Sequence, residues 1–318
     1  YNGSGTKNDP YIITTPAQLD GIRNNLNATY KLGANIDMSK FGNFVSIGTS
    51  AKPFKGSLLC DADSSGKPLY AISNLKINLK AKGCTRKEKF SGFKKDGSAG
   101  WEVGLIGRAD GSTLENIILL NVNVKSNVEG LYQMNSDYSL NPVDYQSTGA
   151  LVGTITNGNV IGCGATGKVV TYSNYAGGLI GSVENGGIKR CYSMVDLTSK
   201  GTWGSGGIAG AGVNVSVSEC FYDGNMKGSV THGGALVGSF YAKTGITVKD
   251  CWAGGTVDSD KTGTFYGVKN HTDEVNKESI EFCSNVYTIS RIKNSKAVQS
   301  NGAPIAKTNK IFVSKQVK

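Results

Sequence analysis

The sequence predicts an all-β chain, a right-handed parallel β-helix (a solenoid) with a short N-terminal capping helix. Three observations point there. Glycine supplies 44 of the 318 residues against only 6 prolines, about twice the ordinary glycine share of roughly 7%. A short glycine-bounded apolar phrase recurs at a near-constant spacing. After a recurring cysteine, the residues alternate with period two, the signature of a half-buried strand.

From the N-terminus, Thr15-Pro16-Ala17-Gln18 reads as a capping box with proline at the first helical position. Leu19, Ile22 and Leu26 then share one helical face, which predicts a helix over 16–26 lying across the first coil. A solenoid has to cover its terminal apolar cross-section, because an uncovered coil presents unpaired strand edges. Residues 1–35 are therefore assigned to an N-terminal cap, 36–286 to the β-helix and 287–318 to a C-terminal cap or a linker.

The repeat phrase occurs six times, as Gly104-Leu-Ile-Gly107, Gly149-Ala-Leu-Val-Gly153, Gly178-Leu-Ile-Gly181, Gly207-Ile-Ala-Gly210, Gly234-Ala-Leu-Val-Gly238 and Gly263-Thr-Phe-Tyr-Gly267. Aligned on the final glycine, the spacings are 46, 28, 29, 28 and 29 residues. Ten residues after that glycine come Ile117, Cys163, Cys191 and Cys220, with Cys251 and Cys283 slightly later in their repeats. Beyond the cysteines, Cys163, Ala165, Gly167 and Val169 form one alternating set, and Cys191, Ser193, Val195 and Leu197 another; both are expected to face inward. Each repeat thus carries two short apolar strands. The length fits one β-helix coil, whereas propeller blades need about 40 residues and leucine-rich repeats an L-x-x-L-x-L scaffold that is absent. The 46-residue interval reads as one coil with an insertion over 126–147.

These phrases resemble the GLUG motif of bacterial surface proteins, also found in the non-catalytic repeat region of IgA-specific metallopeptidases. The resemblance covers about Trp101 to Val286. Gly5-Thr-Lys-Asn-Asp-Pro-Tyr-Ile-Ile, Asn35-Ile-Asp-Met-Ser and Pro53-Phe-Lys-Gly-Ser-Leu are similar to the opening region of such β-helices. Where that family continues with an Asp-Gly-Asn-Gly-His turn, this chain has Cys60-Asp-Ala-Asp-Ser-Ser-Gly66. The resemblance implies a bacterial, secreted or cell-surface location and an adhesive or structural role.

Net charge is +10, but the basic excess sits at the ends. Eight basic residues lie between Lys76 and Lys95, and seven follow from Arg291 with no acid, while 101–288 carries 12 basic and 17 acidic residues. A nucleic-acid binder would more often carry its charge as a stripe along the fold, so nucleic acid is not an expected partner. Solvated ends are the plain reading; an anionic polysaccharide, or self-association through the ends, is the functional one. No apolar run approaches the roughly 18 residues that suggest a membrane span. No charged-then-apolar leader opens the chain, so a mature, soluble chain is expected.

Among the seven cysteines, the ladder Cys163, Cys191, Cys220, Cys251 and Cys283 would put thiols on neighbouring coils about 4.8 Å apart, too far for the Cβ separation a disulfide prefers. Buried reduced thiols are expected there, and pairing of Cys60 with Cys84 stays open. No metal or cofactor site is expected: cysteine spacing lacks the zinc pattern, and His232 and His271 sit in no H-E-x-x-H motif. A polysaccharide lyase or glycosidase would need paired carboxylates. Asp137, Asp144, Asp196, Asp223 and Asp258 show no such pairing in sequence.

Aromatic residues are the candidate ligand-binding groups. Counting back from each closing glycine gives Trp101, Tyr175, Trp203 and His232 at corresponding points. Beside the cysteines, Tyr192, Phe221 and Trp252 form a second row, expected to face outward. The insertion adds Tyr132, Tyr138 and Tyr145 on a long loop. Stacked rings stabilise a solenoid as cross-strand pairs; they also make a flat platform for sugar rings. The leading expectation is a non-catalytic extracellular module that contacts glycans or a host or matrix protein. The alternatives are a carbohydrate-active enzyme on the same scaffold and a filament or spacer subunit.

Overall fold

The computed structural model describes residues 1–80, 102–127, 147–200, 204–228, 233–240, 247–258, 262–263, 266–269, 283–288 and 291–293. Within them the chain is a parallel β-helix. Each strand pairs in parallel with its counterpart one coil away, as in Val152↔Ile106 on one side and Val152↔Ile180 on the other. The 46-residue interval is therefore a single coil, and the part of its insertion over 128–146 lies outside the described residues.

Three faces enclose the core. Face A holds Ile106–Asp110, Val152–Thr156 and the first half of Ile180–Lys189. Face B holds Thr113–Glu115, Asn159–Ile161 and the second half of Ile180–Lys189. Face C holds Ile118–Asn127, Gly164–Thr171 and Tyr192–Ser199. A five-stranded small sheet of two- and three-residue strands, including Ser147–Thr148, Tyr175–Gly177 and Gly204–Gly206, runs just before each repeat phrase. Four strand segments per coil replace the expected two. Face B and the small sheet were hidden because segments of two or three residues are too short to show a period.

The small sheet explains the closing glycines. A β-carbon on Gly181 would meet Gly153 O, Thr148 N at 2.6 Å and Ser147 Cβ at 2.7 Å, and one on Gly210 or Gly238 would meet the backbone of Ala176 or Ser205. Face A is thus covered by the core on one side and by small-sheet backbone on the other, and Val152–Thr156 is buried along its whole length. At the closing glycines the two backbones come too close for a side chain, and beside them the Ser147 and Thr154 hydroxyls meet between the layers.

The A–B and B–C corners turn through left-handed residues. Between A and B these are Gly111, Asn157, Asn185 and Asn214; between B and C they are Asn116, Gly162, Arg190, Glu219 and Asp250. Asparagine tolerates this conformation, and its amide links coils: Asn214 Nδ2 donates to Asn185 Oδ1 at 3.0 Å, and Asn157 Nδ2 to Asp110 Oδ1 at 3.0 Å. At the B–C corner the backbone ladder continues, with Arg190 N donating to Ser218 O at 3.0 Å and Glu219 N to Lys249 O at 3.0 Å.

Cys163, Cys191, Cys220 and Cys251 stand one residue beyond those turns, whereas Cys283, expected on the same ladder, pairs with Val248, and Val286 takes the place opposite Cys251. Cys163, Cys191, Cys220 and Cys251 are buried free thiols, as is Cys60; Cys84 lies outside the described residues. The thiols do more than fill space. Ile117 N donates to Cys163 Sγ and Cys191 N to Cys220 Sγ, each at 3.4 Å. Cys163 Sγ in turn donates to Leu114 O and Ile161 O at 3.3 Å, and Cys191 Sγ to Val160 O at 3.4 Å. Sulfur therefore accepts a backbone N–H at the corner while its proton satisfies a carbonyl, which alanine cannot do. Of the expected inward sets, Cys163, Ala165 and Val169 are buried in one coil and Cys191, Ser193, Val195 and Leu197 in the next, while Gly167 is only half-buried, at φ 117° where the register shifts by a bulge.

At the N-terminus the helix is shorter than the expected 16–26. An α-helix spans Pro16–Asp20 and a 3-10 turn spans Gly21–Asn24. Thr15 Oγ1 accepts from Gln18 N at 3.2 Å, but Gln18 Oε1 reaches past the cap residue to Thr14 N at 2.7 Å. Gly21 is a weak helix former, and the Tyr1 hydroxyl would lie 2.5 Å from a β-carbon there. Leu19 and Ile22 are nonetheless fully buried in the core, with Leu26 packed against it. Parallel pairing begins at Tyr11–Ile13 with Thr29–Leu32, inside the segment assigned to the cap, and extends to Arg291–Lys293.

Candidate ligand-binding face

Face C carries the candidate site on its outer surface. Because Cys191, Cys220 and Cys251 point inward, the residue after each points out, placing Tyr192, Phe221 and Trp252 on consecutive coils. Register confirms this: Tyr192 pairs with Phe221, and Phe221 with Trp252. The Tyr192 and Phe221 rings stack with centroids 5.3 Å apart and planes 10° from parallel; Phe221 and Trp252 are 6.1 Å apart and tilted by 59°. All three are partly exposed. Below them, Gly164 pairs with Tyr192, and a β-carbon at Gly164 would collide with the Tyr192 ring. That ring lies flat over glycine backbone, and burial pushes its hydroxyl pKa up. The Tyr287 backbone continues the row opposite Trp252.

One strand position further along the same face stand Met194, 46% exposed, and then the exposed Asp223 of the next coil. Beyond those, Asp196 Oδ1 accepts from Asn225 Nδ2 at 3.0 Å. Sequence reasoning missed the closeness of Asp223 to Trp252. A β-carbon at Gly254 would lie 2.7 Å from Trp252 Cη2 and 2.8 Å from Asp223 Oδ1. These groups sit on different coils whose lengths differ, so counting along the chain does not align them.

The other aromatic row is corrected. Tyr175 is buried, 3% exposed, in the small sheet against face A, which removes it from any ligand platform. Its register partner on the next coil is Gly204, not Trp203. The longer 29-residue repeat sets Trp203 back by one position. Trp101, Trp203, His232, Tyr132, Tyr138 and Tyr145 lie outside the described residues.

Two buried polar clusters are structural in placement. Glu102, 2% exposed, is held by Arg108 Nη1 at 3.0 Å and Ser50 Oγ at 3.0 Å, and burial still raises its carboxyl above the usual range. Where face C meets the small sheet, Thr148 Oγ1 bonds Ser173 Oγ at 2.7 Å and Thr171 Oγ1 at 3.0 Å. Among the described residues no group of three or more metal-ligating side chains occurs, and no helix is long and apolar enough to cross a membrane.

These features define a parallel β-helix with an aromatic row on one outer face. No family model and no curated protein matches the chain. Among solved structures it is similar to a Bacteroides ovatus protein described as a "putative immunoglobulin A1 protease". The likeness has a TM-score of 0.65 at 20% identity and covers 95% of this chain and 83% of that one. At that identity it shows a shared fold.

Proposed function

We propose that this chain is a secreted or cell-surface, non-catalytic adhesive module that binds glycans along the Tyr192–Phe221–Trp252 row. The observation that carries this reading is the row itself: three partly exposed rings on consecutive coils, the first two stacked nearly parallel at 5.3 Å. Stacking of this kind contributes about 0.2–1 kcal/mol per pair, and the partial exposure of all three side chains leaves aromatic surface within reach of a ligand. The GLUG-like phrases, which resemble those of bacterial surface proteins, support the location.

Glycan-array screening followed by titration calorimetry tests the reading. Phe221→Ala or Trp252→Ala is expected to weaken binding about tenfold, as loss of a central aromatic anchor does, with the circular dichroism spectrum unchanged. Absence of any glycan binding, or binding indifferent to both substitutions, would overturn it. Cleavage of immunoglobulin A1, or release of an unsaturated product from a polysaccharide, would overturn the non-catalytic part.

A further inference from the structure

We infer that the ring row selects non-acidic glycans, neutral or amine-bearing, and rejects uronate polymers, an inference that rests on the glycan-binding reading above. The point just outside Gly254 is bounded by the six-membered ring edge of Trp252, at 2.7 and 3.1 Å from Cη2 and Cζ2, and by Asp223 Oδ1 at 2.8 Å. Ring and carboxylate converge there because Gly254 has no side chain to separate them. Backbone bonds fix both sides: Gly254 N donates to Tyr222 O at 2.6 Å, and Asp223 N to Ser193 O at 2.9 Å.

The charges around the row are unequal on its two edges. On the corner side, Lys189 pairs with Glu219 at 3.3 Å and Lys249 with Asp250 at 3.7 Å, and the exposed Arg190, two residues before Tyr192, adds a positive charge two coils away from Trp252. On the other side stand Asp223 and Asp196, and among the described residues neither has an ion-pair partner. Asp196 is oriented by Asn225 Nδ2 at 3.0 Å. Lys168 stands across from Asp196 one coil away, and Lys227 lies further along the strand, beyond Asn225.

A sugar stacked on Trp252 presents its hydroxyls or amine at the ring rim, where a carboxylate accepts from O–H or from an ammonium group. An ammonium would also gain from the ring face. A uronate would instead bring a second carboxylate within several ångströms of Asp223. Like charges about 5 Å apart in water repel enough to weaken binding about fourfold.

The test uses the intact chain and three oligomers of equal length at low salt: a chitin, a chitosan and a galacturonate oligosaccharide, titrated against wild type, Asp223→Asn and Trp252→Ala. Wild type is expected to bind the galacturonate oligomer at least about fourfold more weakly than the chitin oligomer, and chitosan at least as tightly as chitin. Asp223→Asn narrows both gaps, and Trp252→Ala weakens every ligand that binds. If galacturonate binds as well as chitin, or Asp223→Asn leaves the gaps unchanged, while Trp252→Ala still weakens binding, the charge selection is wrong and the glycan platform stands. If no oligomer binds, both fail.

Discussion

Replacing Gly181 by alanine isolates the contact between face A and the small sheet. The new methyl would meet Gly153 O on one neighbouring coil, and Thr148 N at 2.6 Å and Ser147 Cβ at 2.7 Å in the small sheet. Ordinary contacts lie near 3.5–4.0 Å, so backbone on two sides has to retreat by about 1 Å. Overpacking of this kind costs about 1–3 kcal/mol, and the upper half of that range is expected because backbone cannot rotate away. Gly187 is the internal control, six positions along the same strand, Ile180–Lys189. There a β-carbon would meet only the side chain of Asn159, with Oδ1 at 2.9 Å, and a side chain turns aside. Gly187→Ala is expected within about 0.5 kcal/mol of wild type, since lowered unfolded-state entropy offsets the small adjustment. Urea unfolding followed by far-ultraviolet circular dichroism and by tryptophan fluorescence reads both midpoints, and coincidence of the two probes licenses the comparison. Equal midpoint shifts for the two variants would show that the layer contact is not what the closing glycines serve.

Three further outcomes follow from buried groups. Burial drives the Cys191 and Cys220 thiols well above their ordinary pKa, and the hydrogen bond with Cys220, together with burial, does the same for Cys251, so alkylation mapped by mass spectrometry should leave these cysteines unmodified in the native chain at about pH 8.5 and label them after denaturation; Cys220→Ala should cost about 1–3 kcal/mol by stranding the Cys191 N–H, and native labelling of Cys191 would refute the corner geometry. Glu102 is raised in the folded state, so the stability it contributes is fully present below its unfolded value near 4.3 and is lost as pH rises through the folded value. Against Glu102→Gln, wild type should therefore compare best at about pH 4 and progressively worse toward pH 8 in thermal unfolding, and a pH-independent difference would contradict the burial.

Much of the fold was legible because a solenoid repeats its constraints. The closing glycine recurs where two layers touch, the cysteine where the B–C corner leaves a backbone N–H to satisfy, and the ring where the next residue faces outward. The small sheet was not legible. A strand of two residues such as Ser147–Thr148 has no period to detect, and its identity lies in parallel pairing with a coil 28 residues away. The Trp203 alignment failed for the same reason: a repeat one residue longer shifts the register, and sequence counting does not say where the extra residue is accommodated. The candidate site was half legible. The ring row Tyr192, Phe221 and Trp252 follows from alternation alone, whereas the convergence of Asp223 on Trp252 depends on how coils of unequal length meet in space.

The hydrogen-bonded B–C corner has a consequence for where this chain can change length. In each coil from Asn116 to Asp250 one left-handed residue leads directly to the buried Ile117 or cysteine and then into face C, with nothing between. In these coils length varies between face C and the small sheet, by a bulge within face C, and in later coils between faces A and B, whereas in the coil before them the B–C corner itself carries residues 60–70 where the next has 116–117. In the coils that carry the rings, the outward ring is therefore tied to a joint of constant length, while additions fall at other places around the coil. For engineering, this divides the perimeter into a part that accepts grafted loops and a part that keeps the ring array at fixed pitch, so a new loop placed after face C would leave the spacing of the rings intact.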